Sequence, residues 1–438
     1  WLISWMDAPG TEGVFTYPES LGREIKESLG EYVITVNFHV SLEEYIRQIN
    51  HMIENRSKVT QYLMDAHPWD FMITLFSATD YVQHAFWKFM DKSHPDYTEE
   101  GAKKFGSVIF DVYRKIDGEL GVILDKLDDS TRVFIMSDHG AGPLRKVVNL
   151  NKWLEMNGYL AFKWGEQGGE GVKKAVHRSL TSLFTAMKRR LPISVKAALK
   201  RGMPQVRDKL ESYLFASAID WSRTRAFSMG AYGNIWLNVE GREPEGIVDG
   251  NSQYEALLSE ISEKLCELRN PDNGELVVEK VHRREELYSG PYVKRAPDLI
   301  VQWTDYAYHS RQRFGEKENT LFVDAQTMPL SRLEMNGFHK LNGVFMAKGR
   351  GIRENTKIEG ARITDLAPTM LYIFGIPIPD DMDGKVLTEI FTEDYKKTKT
   401  IRFKSHLAPE SGAGGEYSYT DEEEASVKDR LRGLGYIE

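Results

Sequence analysis

The amino-acid sequence predicts an α/β fold in which a mostly parallel sheet lies between two layers of helices. Residues 42–64 have apolar positions at helical spacing and lead into the apolar run 70–76, which indicates a buried strand. A second helical stretch covers roughly residues 99–127, and the apolar run 132–136 follows it as a second strand. A strand, a long helix and a second strand form a βαβ unit, which is typical of a parallel sheet covered on both faces.

Length, composition and charge limit the class of protein. A chain of 438 residues can form one large α/β domain with an insertion, or two domains. Hydrophobic residues make up 41% and charged residues 28%, which is typical of a folded globular protein and argues against a wholly disordered chain. The net charge of −8 argues against a protein that binds nucleic acid by neutralising many phosphates. Cys266 is the single cysteine, so an intrachain disulfide and a zinc site built from several cysteines are excluded.

No apolar run reaches the roughly 18 residues that indicate a transmembrane helix, so we expect no such segment, and our expectation for the compartment is the cytoplasm. The chain opens on Trp1-Leu2-Ile3-Ser4-Trp5, with neither an initiator methionine nor the charged start of a signal peptide. We therefore expect that sequence preceding Trp1 is missing. The oligomeric state stays open, with a homo-oligomer as one alternative.

The remaining patterns divide the chain into four parts. A glycine-rich stretch at 165–171 indicates a linker, and the Lys/Arg-rich stretch 173–210 has a helical pattern that favours a solvated insertion over a membrane or nucleic-acid surface. The long polar stretch 304–342 predicts a functional or disordered loop. Further strands are predicted at 233–239, 276–281, 298–302 and 344–347, and further helices at 254–268 and from 364 onward. The predicted organisation is a first part of the α/β core (1–163), a basic helical insertion (164–220), a second part of the core (221–404), and a linker with a helical tail (405–438).

Acidic and imidazole side chains follow the two strands of the predicted βαβ unit. Asp80 and His84 lie four residues apart after the first strand, and Asp138 and His139 follow the second strand directly. His339 lies in a later loop flanked by glycines. Because ligands bind at the carboxyl ends of the strands in an open parallel sheet, both pairs are expected at the same edge.

Each of these patterns has an ordinary structural explanation. Asp80 and His84 fit a helix cap with a nearby surface histidine, Asp138 with His139 fits a polar turn, and a single loop histidine carries little information. Two such pairs at consecutive strand ends, together with a third histidine, favour a metal site. Carboxylate oxygens and imidazole nitrogens suit zinc, manganese or iron better than calcium or magnesium alone.

The motifs D-x-x-x-H, SDHG and G-x-H, in this order, resemble those of the alkaline phosphatase superfamily. The resemblance is to the branch that contains the nucleotide pyrophosphatases/phosphodiesterases and the cofactor-independent phosphoglycerate mutases. It covers most of the chain, including its C-terminus, and is weak in the basic insertion. Stretches similar to a subfamily of predicted phosphohydrolases and phosphomutases are APGTEGVFTYP, WSRTRAFSMG, NVEGREPEGIV, YSGPYVKRAPDLIV, ITDLAPTMLYIFGIPIPDDMDGKVL and RLRGLGYIE.

This resemblance implies an alkaline phosphatase-like three-layer α/β/α sandwich and a metal-dependent phosphohydrolase, phosphodiesterase or phosphomutase. The substrate would be a phosphate-ester small molecule or a nucleotide-like compound. It implies two divalent ions, zinc or else manganese, with Asp80, His84 and His339 at one and Asp138 and His139 at the other. Two metals about 4 Å apart can hold the attacking and leaving oxygens of an in-line displacement at phosphorus.

The resemblance also implies an early Asp ligand and a Ser or Thr nucleophile that this chain does not match. Asp7 and Thr11 are the nearest candidates, but they align with an ordinary loop of the family. Two divalent ions bring a charge of +4, and Asp80 with Asp138 return only −2, because ligand histidines are neutral. We expect a preceding segment on the order of 100 residues, about three βαβ-type units. The alternative is a degenerate member without catalysis.

Other residues leave alternatives open. Arg145 and Lys340 are candidates for binding substrate phosphate, and solvated surface charge explains each equally well. Arg223 and Arg225 could face the same cleft or brace the insertion. Competing functions are a sulfatase-like hydrolase on the same fold, or an inactive scaffolding member whose residues 173–209 meet an acidic partner or an anionic membrane. His67, His94 and His309 have no ligand-like neighbours in the sequence and are interpreted as structural.

Overall fold

A computed structural model describes residues 1–4, 8, 10–163, 219–230, 232–310, 320–324, 335–405 and 427–428. The predicted linker and basic insertion, Asp7 and most of the predicted tail lie outside the described residues. The chain divides into two compact units. The first unit comprises Trp1–Ile116, Gly142–Phe338 and Tyr419–Glu438, and the second comprises Asp117–Ala141 and His339–Ser418.

The helices of the described residues are mostly amphipathic and short. Among them, none has the length and apolar character that crossing a bilayer requires. In chain order they are α1 (Ser20–Leu29), α2 (Leu42–Ala66), α3 (Ala78–Met90), α4 (Glu99–Phe105), α5 (Val108–Leu124), α6 (Leu150–Met156), α7 (Ser252–Cys266), α8 (Arg284–Leu287), α9 (Leu366–Phe374) and α10 (Glu393–Thr398), with single 3₁₀ turns at Val293–Arg295, Thr304–Tyr306, Ile363–Asp365 and Thr388–Ile390.

The strands are also short. They are β1 (Leu2–Ile3), β2 (Thr16–Tyr17), β3 (Val133–Met136), β4 (Gly140–Pro143), β5 (Lys146–Val148), β6 (Ala226–Ser228), β7 (Asn234–Leu237), β8 (Val278–Arg283), β9 (Leu299–Trp303), β10 (Tyr308–Ser310), β11 (Phe322–Asp324), β12 (Gly337–Lys340), β13 (Phe345–Lys348), β14 (Ile378–Pro379) and β15 (Phe403–Lys404).

Helix α2 supports the N-terminal part of the first unit. Ser41 is the N-cap of this helix, and its hydroxyl accepts a hydrogen bond from the backbone N–H of Glu44, a role for which serine is preferred. Leu63 of α2 packs with Ile25 of α1 in a buried apolar cluster. The helix predicted at 42–64 is confirmed.

The helix predicted at 99–127 is two helices in the structure. Helix α4 ends at Phe105, and α5 begins at Val108. The backbone N–H of Gly106 still bonds to the carbonyl of Ala102, which closes the last turn of α4. Glycine is a poor helix former, so a break at this position has a local cause.

The main core of the first unit lies against a four-stranded sheet in the order β6-β7-β9-β8, in which every pair is antiparallel. Helix α7 packs on this sheet through three buried leucines and Ile261. Val281 of β8 pairs with Val301 of β9 at the centre of the longest ladder. The strands predicted at 233–239, 276–281 and 298–302, and the helix predicted at 254–268, are confirmed within a few residues.

A buried carboxylate links this sheet to its surroundings. Asp298 is fully buried, and its oxygens accept hydrogen bonds from the Arg242 guanidinium at 2.6 and 2.7 Å, from the Tyr254 hydroxyl at 2.7 Å and from the backbone N–H of Leu237 at 2.7 Å. Arg284 adds an ion pair at 2.9 Å. A buried charge needs this number of partners, so the network is structural.

The stretch 304–342, predicted as one long loop, contains three strands. In the first unit β10 pairs with β5 in parallel, and β11 pairs with the other edge of β5 in antiparallel fashion. Strand β12 ends the stretch. The loop prediction was therefore wrong for these segments, because short strands with polar neighbours have no clear periodicity in the sequence.

The second unit has its own apolar cluster, which includes Tyr372 of α9 and Phe391. In it β3 pairs with β13 in antiparallel fashion, with Ile135 opposite Met346. The buried carboxylate of Asp365 accepts bonds from the backbone N–H groups of Arg362 and Lys385, both at 2.9 Å, and so fixes the entry to α9.

Two predictions about the sheet need correction. Residues 70–76 are not a strand, and Phe71, Ile73 and Leu75 are 52%, 77% and 43% exposed. No described strand pairs with this segment, so its backbone has no ladder, and an apolar run by itself cannot supply one. A mostly parallel sheet is not confirmed either. Among the described strands, β10–β5 and β14–β15 are parallel, and the pairs β1–β2, β11–β5, β13–β3, β6–β7, β7–β9 and β8–β9 are antiparallel.

Candidate metal centre

Asp80 and His84 lie on one face of α3, because residues four apart are neighbours on a helix. The Nε2 atom of His84 is 3.2 Å from an Asp80 carboxylate oxygen. His84 is 5% exposed, and the Asp80 side chain is 16% exposed. The first unit therefore holds a carboxylate and an imidazole in contact, with little access for water.

A backbone carbonyl fixes the orientation of the His84 ring. The Nδ1 atom lies 2.8 Å from the carbonyl oxygen of Gly337, and a carbonyl can only accept, so Nδ1 carries the proton. Burial lowers the pKa of His84, but the Asp80 charge and the Gly337 carbonyl outweigh it, and the net pKa is raised. A metal-binding histidine typically donates its second ring N–H to such a carbonyl and leaves the other nitrogen for the ion.

The segment that supplies this carbonyl is attached to α3 along its backbone. The Asn336 side chain accepts from the Lys88 N–H at 2.9 Å and donates to the Ala85 carbonyl at 2.8 Å. A Cβ at Gly337 would lie 2.1 Å from the Gln83 carbonyl oxygen, so this close approach requires glycine. His339 follows two residues later in the sequence.

The second unit brings Asp138, His139 and His339 together. The rings of His139 and His339 stack with centroids 3.8 Å apart, and His139 Nε2 lies 3.5 Å from an Asp138 oxygen. His139 Nδ1 is 3.0 Å from the Gly140 carbonyl, and the Asp138 side chain is 64% exposed. Two imidazoles and an accessible carboxylate are thus available side by side.

Close backbone packing shapes this part of the second unit. A Cβ at Gly140 would lie 2.2 Å from the Asn342 carbonyl oxygen, and a Cβ at Gly343 would lie 2.4 Å from the Ser137 hydroxyl. That hydroxyl accepts a bond from the Val344 N–H at 2.8 Å. Gly343, near His339, therefore permits its own segment to approach the segment around Ser137 closely.

The basic residues proposed from the sequence to contact substrate phosphate or to face the cleft differ in their surroundings. Arg145 lies 3.8 Å from a Glu275 oxygen in the first unit, which partly neutralises it. Lys340, in the second unit, is half-buried. Arg225 places its guanidinium 5.2 Å from the centre of the Tyr159 ring.

The histidines that we interpreted as structural have neighbours that the sequence did not show. His67 is 2.8 Å from a Glu24 oxygen, and the Nε2 atom of His94 is 3.0 Å from both the Leu144 and the Asn336 carbonyls. His309 is 3% exposed, with its ring centre 4.5 Å from that of Phe338.

Sequence reasoning missed the residues around Phe338. The Phe338 ring lies 6.0 Å from the His84 ring and 6.2 Å from the Tyr232 ring, and Tyr232 meets His309 edge-on at 5.7 Å. Burial raises the pKa of Tyr232 to about 12, and the Asp80 charge contributes to that rise. The glycines on both sides of Tyr232 were a possible signal, because they indicate a tight turn.

A family model described as type I phosphodiesterase / nucleotide pyrophosphatase matches residues 4–339. The chain belongs to this family. The matched range includes Asp80, His84, Asp138, His139 and His339, and the match confirms the resemblance to the alkaline phosphatase superfamily. Type I phosphodiesterases and nucleotide pyrophosphatases are hydrolases of phosphate esters and anhydrides, which supports the predicted class of enzyme.

Among solved structures, the type I phosphodiesterase chain is similar to human ectonucleotide pyrophosphatase / phosphodiesterase 5. The two are 15% identical with a TM-score of 0.36, over 82% of this chain and 66% of the human one. The chain therefore spans slightly less than two thirds of that protein. No curated protein matches the chain.

Proposed function

We propose that this protein is a metal-dependent hydrolase of phosphate esters, with a phosphodiester or a nucleotide-like compound as substrate. The observation that carries the proposal is the buried Asp80–His84 pair, in which the Gly337 carbonyl holds the His84 ring with Nε2 toward the carboxylate. The family match to the type I phosphodiesterases supports the same reaction class.

The first proposed ion has Asp80, His84 and His339 as ligands. Each of them offers one atom of a type that zinc and manganese accept. Strand β12 connects Gly337, which bonds to the His84 ring, with His339 two residues further along the chain. One carboxylate and two imidazoles form a donor set common in catalytic zinc sites, which leaves a further position open.

The second proposed ion has Asp138 and His139 as ligands. The exposed Asp138 carboxylate lies beside the half-buried His139 ring, with His139 Nε2 3.5 Å from an Asp138 oxygen. Two protein ligands leave much of the coordination of a divalent ion to other groups. The nucleophile is not assigned to any residue of this chain.

When bound, divalent ions neutralise charge on phosphoryl oxygens and activate the attacking oxygen. The residues of the chain have separate tasks. Asp80 supplies negative charge to a buried site, and His84 Nδ1 keeps its proton and donates it in a hydrogen bond to the Gly337 carbonyl, which leaves the Nε2 lone pair for the ion. We propose Arg145 and Lys340 as contacts to the substrate phosphate, with the partial neutralisation of Arg145 by Glu275 weakening its share.

The test is turnover of bis(p-nitrophenyl) phosphate by the native protein, with zinc and manganese measured by elemental analysis. Replacing a residue that hydrogen-bonds to a metal ligand costs about 10- to 100-fold in activity, so Asp80→Ala and Asp138→Ala, which remove a proposed ligand itself, should each lose more than about 100-fold. Asp125→Ala, at an exposed position of the same chain, is the matched control and should retain wild-type turnover. Full activity in Asp80→Ala, or absence of metal from replete protein, would refute the proposal.

Sulfate-ester hydrolysis is not favoured by the family match. Assaying p-nitrophenyl sulfate beside the phosphodiester separates the two reactions. A protein that hydrolyses neither ester while retaining metal would support the inactive, binding alternative.

A further inference from the structure

The turn between β6 and β7 is fixed in place by glycine. Gly230 and Gly233 have positive φ values of 78° and 75°. A Cβ at Gly233 would lie 2.9 Å from Val301 of β9. The backbone N–H of Gly233 donates a hydrogen bond to the Ser310 hydroxyl of β10 at 2.7 Å. The position of the intervening Tyr232 is therefore set by two strands of the first unit.

Tyr232 belongs to a group of rings that also includes a proposed metal ligand. Its ring meets the buried His309 at 82° with centroids 5.7 Å apart, and it lies 6.2 Å from Phe338. Phe338 in turn meets His84 edge-on at 6.0 Å. His309 and Phe338 are 3% and 6% exposed, whereas Tyr232 is 40% exposed, so Tyr232 is the member of the group that solutes can reach.

The hydroxyl of Tyr232 is a hydrogen-bond donor at neutral pH. Burial and the charge of Asp80 raise its pKa to about 12, so the proton stays on the oxygen. A neutral donor in this place suits the anionic oxygens of a phosphate ester, which strengthen such bonds.

We propose that Tyr232 is a substrate-contact residue whose hydroxyl donates a hydrogen bond to a non-bridging phosphoryl oxygen at the Asp80–His84 site. His309 is a positioning residue whose buried ring meets the Tyr232 ring edge-on and holds it in place. The inference rests on the proposed function, because it places a phosphate ester at this site. The competing explanation is that the rings only fill space, in which case the hydroxyl has no role.

The experiment compares Tyr232→Phe with Tyr292→Phe, a change of the same type at a 68% exposed position. Each metal-loaded native protein is assayed with bis(p-nitrophenyl) phosphate and titrated with inorganic phosphate by calorimetry. A lost hydrogen bond to a charged group corresponds to about a 10- to 100-fold effect. We expect that decrease in kcat/KM and a weaker phosphate affinity for Tyr232→Phe, at wild-type metal content and melting temperature, and no change beyond twofold for Tyr292→Phe.

The positioning role of His309 has its own readout. His309→Asn should weaken phosphate binding in the wild-type background and have little further effect in Tyr232→Phe, because both changes remove the same contact. Additive effects would overturn the positioning role.

The outcomes separate the two proposals. Wild-type protein that hydrolyses the ester, beside a Tyr232→Phe variant within twofold of it in both assays, overturns the role of Tyr232 alone. Wild-type protein that neither hydrolyses the ester nor binds phosphate overturns the proposed function and this inference with it.

Discussion

The Nδ1 atom of His84 lies 2.8 Å from the carbonyl oxygen of Gly337, although the two residues are 253 positions apart in the chain. This bond joins α3 to the segment that precedes His339. It sets the tautomer of a proposed metal ligand, and it exists only because residue 337 has no side chain. The geometry of the site and the packing of the fold thus depend on the same residue.

Gly337→Ala should therefore disturb both stability and metal binding. The new methyl group would lie 2.1 Å from the Gln83 carbonyl oxygen, which forces the backbone apart and costs about 1–3 kcal/mol by analogy with overpacked cores. Urea unfolding measures the loss, and elemental analysis measures the metal. Gly118→Ala, in α5 with no atom near the added methyl, should be neutral or stabilising. Equal behaviour of the two variants would contradict this account.

Metal loading should stabilise the native protein through Asp80. An ion that binds only the folded state adds about 2.7 kcal/mol at a concentration 100 times its Kd. We expect a chelator to lower the melting temperature of wild-type protein and to leave that of Asp80→Asn nearly unchanged. Scanning calorimetry with and without zinc measures both. A wild-type melting temperature that does not respond to zinc or chelator would argue against the site.

Asp298→Asn should be among the most destabilising single changes in the first unit. The carboxylate is fully buried and pairs with Arg242 and Arg284, so its loss removes their shared buried counterion and leaves them only the more exposed carboxylates of Glu243 and Glu285. Removing one partner of a buried ion pair costs about 3–5 kcal/mol. The shift in urea midpoint measures this, with the exposed Asp125→Asn as control. A loss below 1 kcal/mol would show that the arginines find other partners.

The contribution of His94 to stability should fall as the pH drops below about 6.5, the unfolded-state pKa of histidine. Burial lowers the pKa of His94, whose Nε2 donates to the Leu144 and Asn336 carbonyls and whose Nδ1 accepts from the Asp96 N–H. The unfolded chain then binds a proton that the folded chain does not, so protonation favours unfolding until the lowered pKa is reached.

Urea unfolding at pH 7.5 and pH 5.5 measures the His94 effect. His94→Gln removes the titrating group, so the difference between the two pH values should be smaller than in wild type. His51→Gln, at an exposed position, is the matched control. An unchanged pH difference in His94→Gln would assign the effect to other groups.

The sequence predicted features that depend on local patterns. The apolar spacing of α2 and α7, and the strands β7 and β13, follow from periodicity. So does the pairing of Asp80 with His84, because a four-residue separation on a helix places two side chains together. The direction of strand pairing was not predictable, because it depends on partners that are distant in the sequence.

Tyr232 and His309 illustrate the same limit in the site. Nothing in their immediate sequence relates them to His84, and only the packing around Phe338 does so. The incorrect prediction of a strand at residues 70–76 arose because the local sequence pattern was given too much weight. The local pattern there favours a strand, but a strand requires a neighbour, and no described strand lies beside it.

That segment has a practical consequence for handling the protein. Residues 71–76 are six consecutive positions without charge or proline, rich in aromatic and β-branched side chains, and alternately exposed. Such stretches promote aggregation when they are accessible. Solubility at high concentration will therefore depend on whether this stretch is covered, and Ile73, the most exposed of its large side chains at 77%, is the first position at which to introduce a lysine.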